Sequence, residues 1–234
     1  MDLTQAILLR KSRRSYKDEP IPQMQADALL RSIDELNAQS GLHIQLVTDK
    51  QAFASIRKNY GFFKNVPAYF VLAGNESDPK LHEKVGYYGE LLVLEATRLG
   101  LGTCWVGSTY DKAQTKAELA EGERVVCVVS VGVAAGNDTL RERTIYSMIH
   151  TKSKKLEDLY ECDETPPPAW FLSAMNAVLR APSARNKQPV RIIYKDGKIE
   201  AATGEFQVNK IDLGIAKCHF DLECKNGFQF KNEL

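Results

Sequence analysis

ALLRSIDELNAQSGLHIQLVTD, residues 28–49, carries an apolar helical face, a polar turn and a β-branched run, in that order. Met24, Ala28, Leu29, Ile33 and Leu36 recur at helical spacing. Pro20 and Pro22 stand where that helix should start, because proline is tolerated in a first turn. HIQLVTD (43–49) then reads as a strand. Outward from this unit, residues 3–10 predict a short helix, and AYFVLAG (68–74), bounded by Pro67 and Gly74, predicts a second strand. A long helix follows over 81–99, stopped by Gly100 and Gly102. TCWVGS is a short strand or loop, and 112–121 reads as a helix. RVVCVVSVGV (124–133) lacks alternation, so it predicts a strand buried on both faces. Helices alternate with strands, which predicts an α+β or α/β fold: a mixed β-sheet flanked by helices.

The opening stretch has an echo. AVLRAPSARNKQPVRIIYKD, residues 177–196, repeats the order helix, N-x-Q turn, β-branched strand, Asp. Asn37 and Gln39 answer to Asn186 and Gln188. The helix from Gly86 to Glu95 is echoed by Gly214 to Glu223. Chance similarity of two helix–turn–strand units is the plain alternative. A true duplication would make the chain a pseudo-dimer of itself. Between the copies, 134–165 is polar and irregular and ends in Pro166, Pro167 and Pro168, so it reads as a connector. The expected division is 1–165 and a partial second copy, 166–234, packed on the first.

Composition excludes several classes. Of 234 residues, 31 are Lys or Arg and 30 are Asp or Glu, for a net charge of +1, which gives no support for a nucleic-acid binder. No apolar run approaches the roughly 20 residues that cross a bilayer. Basic residues follow the short N-terminal apolar stretch rather than precede it, so the expectation is a cytoplasmic protein. Cys104, Cys127, Cys162, Cys218 and Cys224 show no CxxC spacing, and the four histidines show no HxH or HxxxH pattern, so no metal site is predicted. Cys127, within VVCVV, reads as a small buried hydrophobe.

Arg10-Lys11-Ser12-Arg13-Arg14-Ser15-Tyr16, followed by Asp18, Pro20 and Ile21, resembles the opening motif of the FMN-dependent nitroreductase family. APSARNKQP (181–189) resembles that family's Ala-Pro-Ser-x-x-Asn-x-Gln-Pro signature, and LGLGTCWVG (99–107) a third signature at the end of the long helix. Residues 152–157 (KSKKLE) resemble its basic, phosphate-contacting tail. The order is unusual. The turn after the Arg-rich opening (SIDELNAQS) lacks Ala-Pro-Ser, which appears instead in the second copy, and that copy lacks the opening. In family homodimers the flavin lies between subunits, one supplying the opening and the other the turn. The distribution here implies one intact site in a fused pseudo-dimer, with the pseudo-symmetric site dead.

The resemblance implies FMN as cofactor. Arg10, Lys11, Ser12, Arg14, Lys152 and Lys154 would face its phosphate, a dianion that suits forked cations and hydroxyls; a solvated basic loop is the alternative. Pro182, Ser183, Ala184, Asn186 and Gln188 would supply a small-residue surface and paired amides; capping of the turn is the alternative role for the two amides. Gly102 and Gly107 would let backbone amides approach the ligand beside Cys104, and Trp105 would border the pocket or fill core. Cys104 has no neighbouring His or resolving Cys, so packing is its simpler role. Tyr87, Tyr88, Phe62 and Phe63 could stack on substrate or pack the core. The implied activity is ping-pong hydride transfer from NAD(P)H through flavin to a nitroaromatic, quinone or similar small acceptor, with no side chain as acid, base or nucleophile. A degenerate, flavin-free binding protein and a family variant with other flavin chemistry remain alternatives. A monomer or weak dimer is expected.

Overall fold

The first sheet of the computed structural model is antiparallel throughout, with strand order β1-β2-β4-β3. The structure describes residues 1–136, 139–149, 153–224 and 227–234. Strand β1 is His43–Val47, β2 Ala68–Asn75, β3 Gly102–Val106 and β4 Glu123–Gly132. The central strands are buried on both faces. Phe70 and Leu72 of β2, with Val129 and Val131 of β4, pack beneath helices α2 (Gln23–Ser40) and α5 (Leu81–Arg98). Tyr69, Val71 and Val128 face the opposite side, where Phe53, Phe63 and Tyr110 cover them. Two covered faces explain why 124–133 shows no alternation.

Helix α2 starts directly after Pro22 and ends at Gly41, whose left-handed backbone (φ 69°) closes the last turn. Its buried residues, Leu29, Ile33, Leu36 and Ser40, fall on one stripe. Helix α1 is Leu3–Leu9; α3 (Gln51–Ala54) and α4 (Ile56–Asn59) are single turns between β1 and β2.

A second, mixed sheet carries β5 (Tyr160–Cys162) parallel to β6 (Arg191–Lys195), and β6 antiparallel to β7 (Lys198–Ala202). Helices α7 (Ala169–Leu179) and α8 (Gln207–Glu223) close a second core on Phe171, Ile192, Phe220 and Phe230. Leu159 is buried in that core and β5 pairs with β6, so it draws on residues before Thr165.

The two cores meet where α5 crosses α8. A Cβ on Gly86 would lie 2.1 Å from Ile211 O and 3.0 Å from Ile215 N. A Cβ on Gly214 would lie 2.0 Å from Glu83 O and 2.7 Å from Tyr87 N. Only glycine lets two backbones approach this closely.

Two expectations need correction. Residues 112–121 form only a 3-10 turn, Lys112–Gln114, followed by chain without regular structure. The backbone there bonds elsewhere: Lys116 N–H donates to the Tyr69 hydroxyl, and Glu118 exchanges two hydrogen bonds with the Gln45 side chain. The connector 134–165 is not irregular throughout, since it holds α6 (Leu140–Ile149) and β5. Tyr87, Tyr88 and Phe63 are core residues, whereas Phe62 is 37% exposed. Among the described residues no helix is long and apolar enough to cross a membrane.

Candidate functional site

Residues 10–16 leave α1 as extended chain and run beside β3. Ser12 pairs with Thr103 in a parallel bridge, and Arg13 N–H donates to Thr103 O at 2.7 Å. That docking gathers Arg10, Ser12 and Arg14 around Cys104. Burial pushes the Cys104 thiol up, while the Arg14 cation, the Ser12 hydroxyl and the Arg10 cation pull the other way. The buried thiol therefore stays protonated, which suits packing rather than redox chemistry. Lys11 is exposed on the same segment. A Cβ on Gly102 would meet the Arg13 side chain at 2.8 Å, so this glycine accommodates Arg13, whereas one on Gly107 would meet nothing within 4 Å.

Arg13 and Arg14 differ in role. Arg13 is tied to Glu142 (Nε to Oε1, 3.2 Å) and donates to the Gly136 carbonyl at 2.7 Å. Among the described residues the Arg14 guanidinium has no hydrogen-bonding or ion-pair partner, although the Arg14 amide donates to Glu142 Oε1 at 2.7 Å. Glu142 also accepts from Ser15 N and Thr139 N, so one carboxylate sets the shape of the opening. Burial alone would raise its pKa, but the Arg14 and Thr139 amides and the Arg13 guanidinium outweigh it and bring it down to about 2. Glu142 was not foreseen. Its signal was present: Thr139-x-x-Glu142 is a capping-box pattern, and α6 starts there with reciprocal bonds.

The second group of predicted residues forms the turn after α7. Ser183 Oγ accepts from Gln188 N–H at 2.9 Å, and Gln188 Nε2 donates to Leu179 O at 3.3 Å. Lys154 embraces Gln188 from outside: its amide donates to Gln188 Oε1 at 2.8 Å and its ammonium to Gln188 O at 2.9 Å. Asn186 Nδ2 donates to Ser153 Oγ at 2.9 Å. Ala184 N–H is shared by both oxygens of Asp212, at 3.1 and 3.2 Å. Asp212 is buried, and burial raises its pKa to about 7 against the single amide that lowers it. Pro182, Ser183, Gln188 and Asp212 line a cavity of about 20 Å³, room for one water. Arg185, Asn186 and Gln188 all adopt positive φ (53°, 53° and 46°). Each such residue costs on the order of 1–3 kcal/mol, and such strain clusters at ligand sites. Lys152 lies outside the described residues.

Among the described residues no hydrogen bond or ion pair runs directly from Arg10, Ser12, Arg13 or Arg14 to 182–188. A buried chain connects them instead. Arg10 Nε lies 3.7 Å from Glu90 Oε1, the same oxygen meets His219 Nε2 at 2.9 Å, and His219 Nδ1 meets Ala177 O at 3.0 Å, two residues before Leu179. Trp105 Nε1 donates to the other oxygen, Glu90 Oε2, at 2.8 Å. Neither Glu90 nor His219 was foreseen; the only hint was a charged residue inside each of two apolar, echoing helices. A larger cavity of about 530 Å³ borders the outgoing end of the opening, lined by Ser15, Tyr16, Lys17, Lys64 and Thr139 among others.

The fold is α+β, with an arginine-rich opening docked on β3. The sequence model of the family described as "Putative TM nitroreductase" matches residues 2–224, and the chain belongs to this nitroreductase family of oxidoreductases. The crystal structure of a "putative nitroreductase" from Thermotoga maritima shares the fold, with a TM-score of 0.61 and 22% identity over 95% of this chain and 83% of that one. A nitroreductase with bound FMN from Bacteroides fragilis is 19% identical, with a TM-score of 0.44, over 60% of this chain and 92% of that one. An NADH dehydrogenase/NAD(P)H nitroreductase structure, itself labelled putative, from Parabacteroides distasonis is 20% identical, with a TM-score of 0.45, over 59% and 91%. No curated protein matches the chain.

Proposed function

We propose that this chain is an FMN-dependent NAD(P)H oxidoreductase of the nitroreductase type, with one flavin site built from both parts of a pseudo-dimer. The observation that carries the cofactor is Arg10. Its Nε is buried and makes no hydrogen bond, which typically costs about 1–3 kcal/mol. An anion reaching Arg10, Ser12 and Arg14 would relieve that cost, and a phosphate dianion matches two cations and a hydroxyl. Ser183, Asn186 and the strained backbone of 185–188 would hold the remainder of the cofactor. Bound FMN would supply the hydride acceptance and donation that no side chain here can perform. The protein's own tasks are to bind, to orient and to exclude water. Small nitroaromatics or quinones are the proposed acceptors.

The pseudo-dimer is supported by the helix crossing. Gly86 meets Ile211 and Ile215; Gly214 meets Glu83 and Tyr87. In both cases the partners stand three residues before and one after the facing glycine, the reciprocity of an isologous contact. Helices α2 and α7 also start alike, each from an extended proline: Pro22 at φ −57°, ψ 140° and Pro168 at φ −58°, ψ 142°. Each is followed by an antiparallel strand pair and then by a crossing helix. A monomer follows from the same reading.

One observation favours a second reading, a flavin-free binding protein: Lys154 Nζ and both amide atoms of Gln188 are committed to the turn itself. The colour of the purified protein separates the two. A flavin spectrum near one FMN per chain, bleached by NADH or NADPH and restored by a quinone, supports the enzyme. A colourless protein that does not take up added FMN supports the alternative.

A further inference from the structure

Helix α5 turns an apolar face to α8, yet Glu90 sits in that seam with none of its surface exposed. A buried carboxylate is costly unless its charge is paired and its oxygens are hydrogen-bonded. Glu90 meets the requirement with groups from distant segments: His219 of α8 on Oε1, Trp105 of β3 on Oε2, and Arg10 of the opening at 3.7 Å. His219 is itself fully buried. The Ala177 carbonyl can only accept, so His219 Nδ1 carries a proton, and the tautomer is set by the end of α7. His219 Nε2 then meets Glu90 Oε1, and the pair faces the Arg10 cation.

We infer that Glu90 is a positioning residue for the cofactor site, acting through Arg10 and Trp105, and that His219 carries its orientation across from the second half. The inference rests on the FMN reading above. Its physical content is an unusual division of labour. The Glu90 carboxylate attracts the Arg10 guanidinium without hydrogen-bonding to Nε, so the cation is held while that buried donor stays uncommitted. The same carboxylate fixes the indole of Trp105 on β3, one residue beyond Cys104, around which Arg10, Ser12 and Arg14 are gathered. Besides tying α5 to α8 through His219, the carboxylate thus reaches both the opening and β3.

The test is a double-mutant cycle on FMN affinity, read by flavin fluorescence with full-length protein at a temperature where every variant is folded. Glu90→Gln keeps the shape and an acceptor for Trp105 but removes the charge. It is expected to weaken FMN by about 10-fold, the size of one charge-assisted interaction, and to shift the visible circular dichroism of the bound flavin. In an Arg10→Met background, the same Glu90→Gln change should alter affinity by less than about 2-fold, because its effect runs through Arg10. Equal weakening in both backgrounds would mean a structural role only and would overturn the inference. Should Glu90→Gln not fold, His219→Gln in the same two backgrounds gives the same discrimination. Failure of the unmodified protein to bind FMN would instead overturn the cofactor reading, as would an Arg10→Met affinity equal to wild type. Binding with full independence of Glu90 overturns only the positioning role.

Discussion

Replacing Gly214 with alanine puts one methyl group into the α5–α8 crossing. Its carbon would lie 2.0 Å from Glu83 O and 2.7 Å from Tyr87 N, both backbone atoms of a fully formed helix. An ordinary carbon–oxygen contact is about 3.3 Å, so the helices must part by more than about 1 Å. That movement stretches the Lys217–Glu83 pair (2.6 Å), the Tyr87–Asp221 hydrogen bond (2.9 Å) and the Glu90–His219 pair (2.9 Å). Overpacking costs about 1–3 kcal/mol, and each buried polar group left poorly paired adds about 1–3 kcal/mol. Better helix propensity of alanine returns about 1 kcal/mol. The net expectation is a loss of roughly 3–5 kcal/mol and a melting temperature lower by about 10 °C for a chain of this size. Gly107→Ala is the control, since a Cβ there meets nothing and should stay within about 0.5 kcal/mol. Urea unfolding of flavin-free protein gives both numbers. A Gly214→Ala protein as stable as the Gly107→Ala protein would refute the close crossing and, with it, the tight docking of the two cores.

The remaining predictions concern the site. Arg14→Ala removes a guanidinium with no ionic partner among the described residues, so FMN affinity should fall about 10-fold to 100-fold with the melting temperature of flavin-free protein unchanged; unchanged retention would leave Arg14 as solvated surface. Asp212 has a folded pKa raised from 3.8 to about 7, so it binds its proton more tightly when folded; its stabilisation is complete below about pH 4 and is lost as pH rises to about 7, on the order of 4 kcal/mol. Asp212→Asn should flatten that slope, and an unaltered slope would place the titration elsewhere. Glu142 is the opposite case: its folded pKa, lowered from 4.5 to about 2, stabilises the protein above about pH 4.5, and this is lost as pH falls towards 2. Glu142→Gln should remove that acid sensitivity and loosen the opening, read as faster proteolysis after Arg13 or Arg14.

The sequence was most legible where local chemistry agreed with tertiary context. The proline start and Gly41 stop of α2, and the unbroken apolar run of β4, announced themselves because their signals lie within a few residues. The failures have one cause. At 112–121 the helical pattern lost to side chains of β1 and β2 that capture its backbone, and nothing in those ten residues encodes Gln45 or Tyr69. Helix α6 is the converse: a capping box that was legible but masked by polar composition. The site divides the same way. Its opening and its Pro-Ser turn are short motifs, whereas the Glu90–His219 link joins residues 129 apart and exists only once α5 lies on α8.

The most direct measurement is an FMN titration of the purified chain, with mass and flavin content read together by light scattering and absorbance. One FMN per 26.2 kDa monomer is the predicted result, with binding lost or weakened about 10-fold by either Arg10→Met or Asn186→Ala, because the two parts contribute to the same flavin. Two FMN per chain, a stable dimer carrying its flavins between subunits, or an Asn186→Ala protein that binds as tightly as wild type would contradict a single site shared by the two halves.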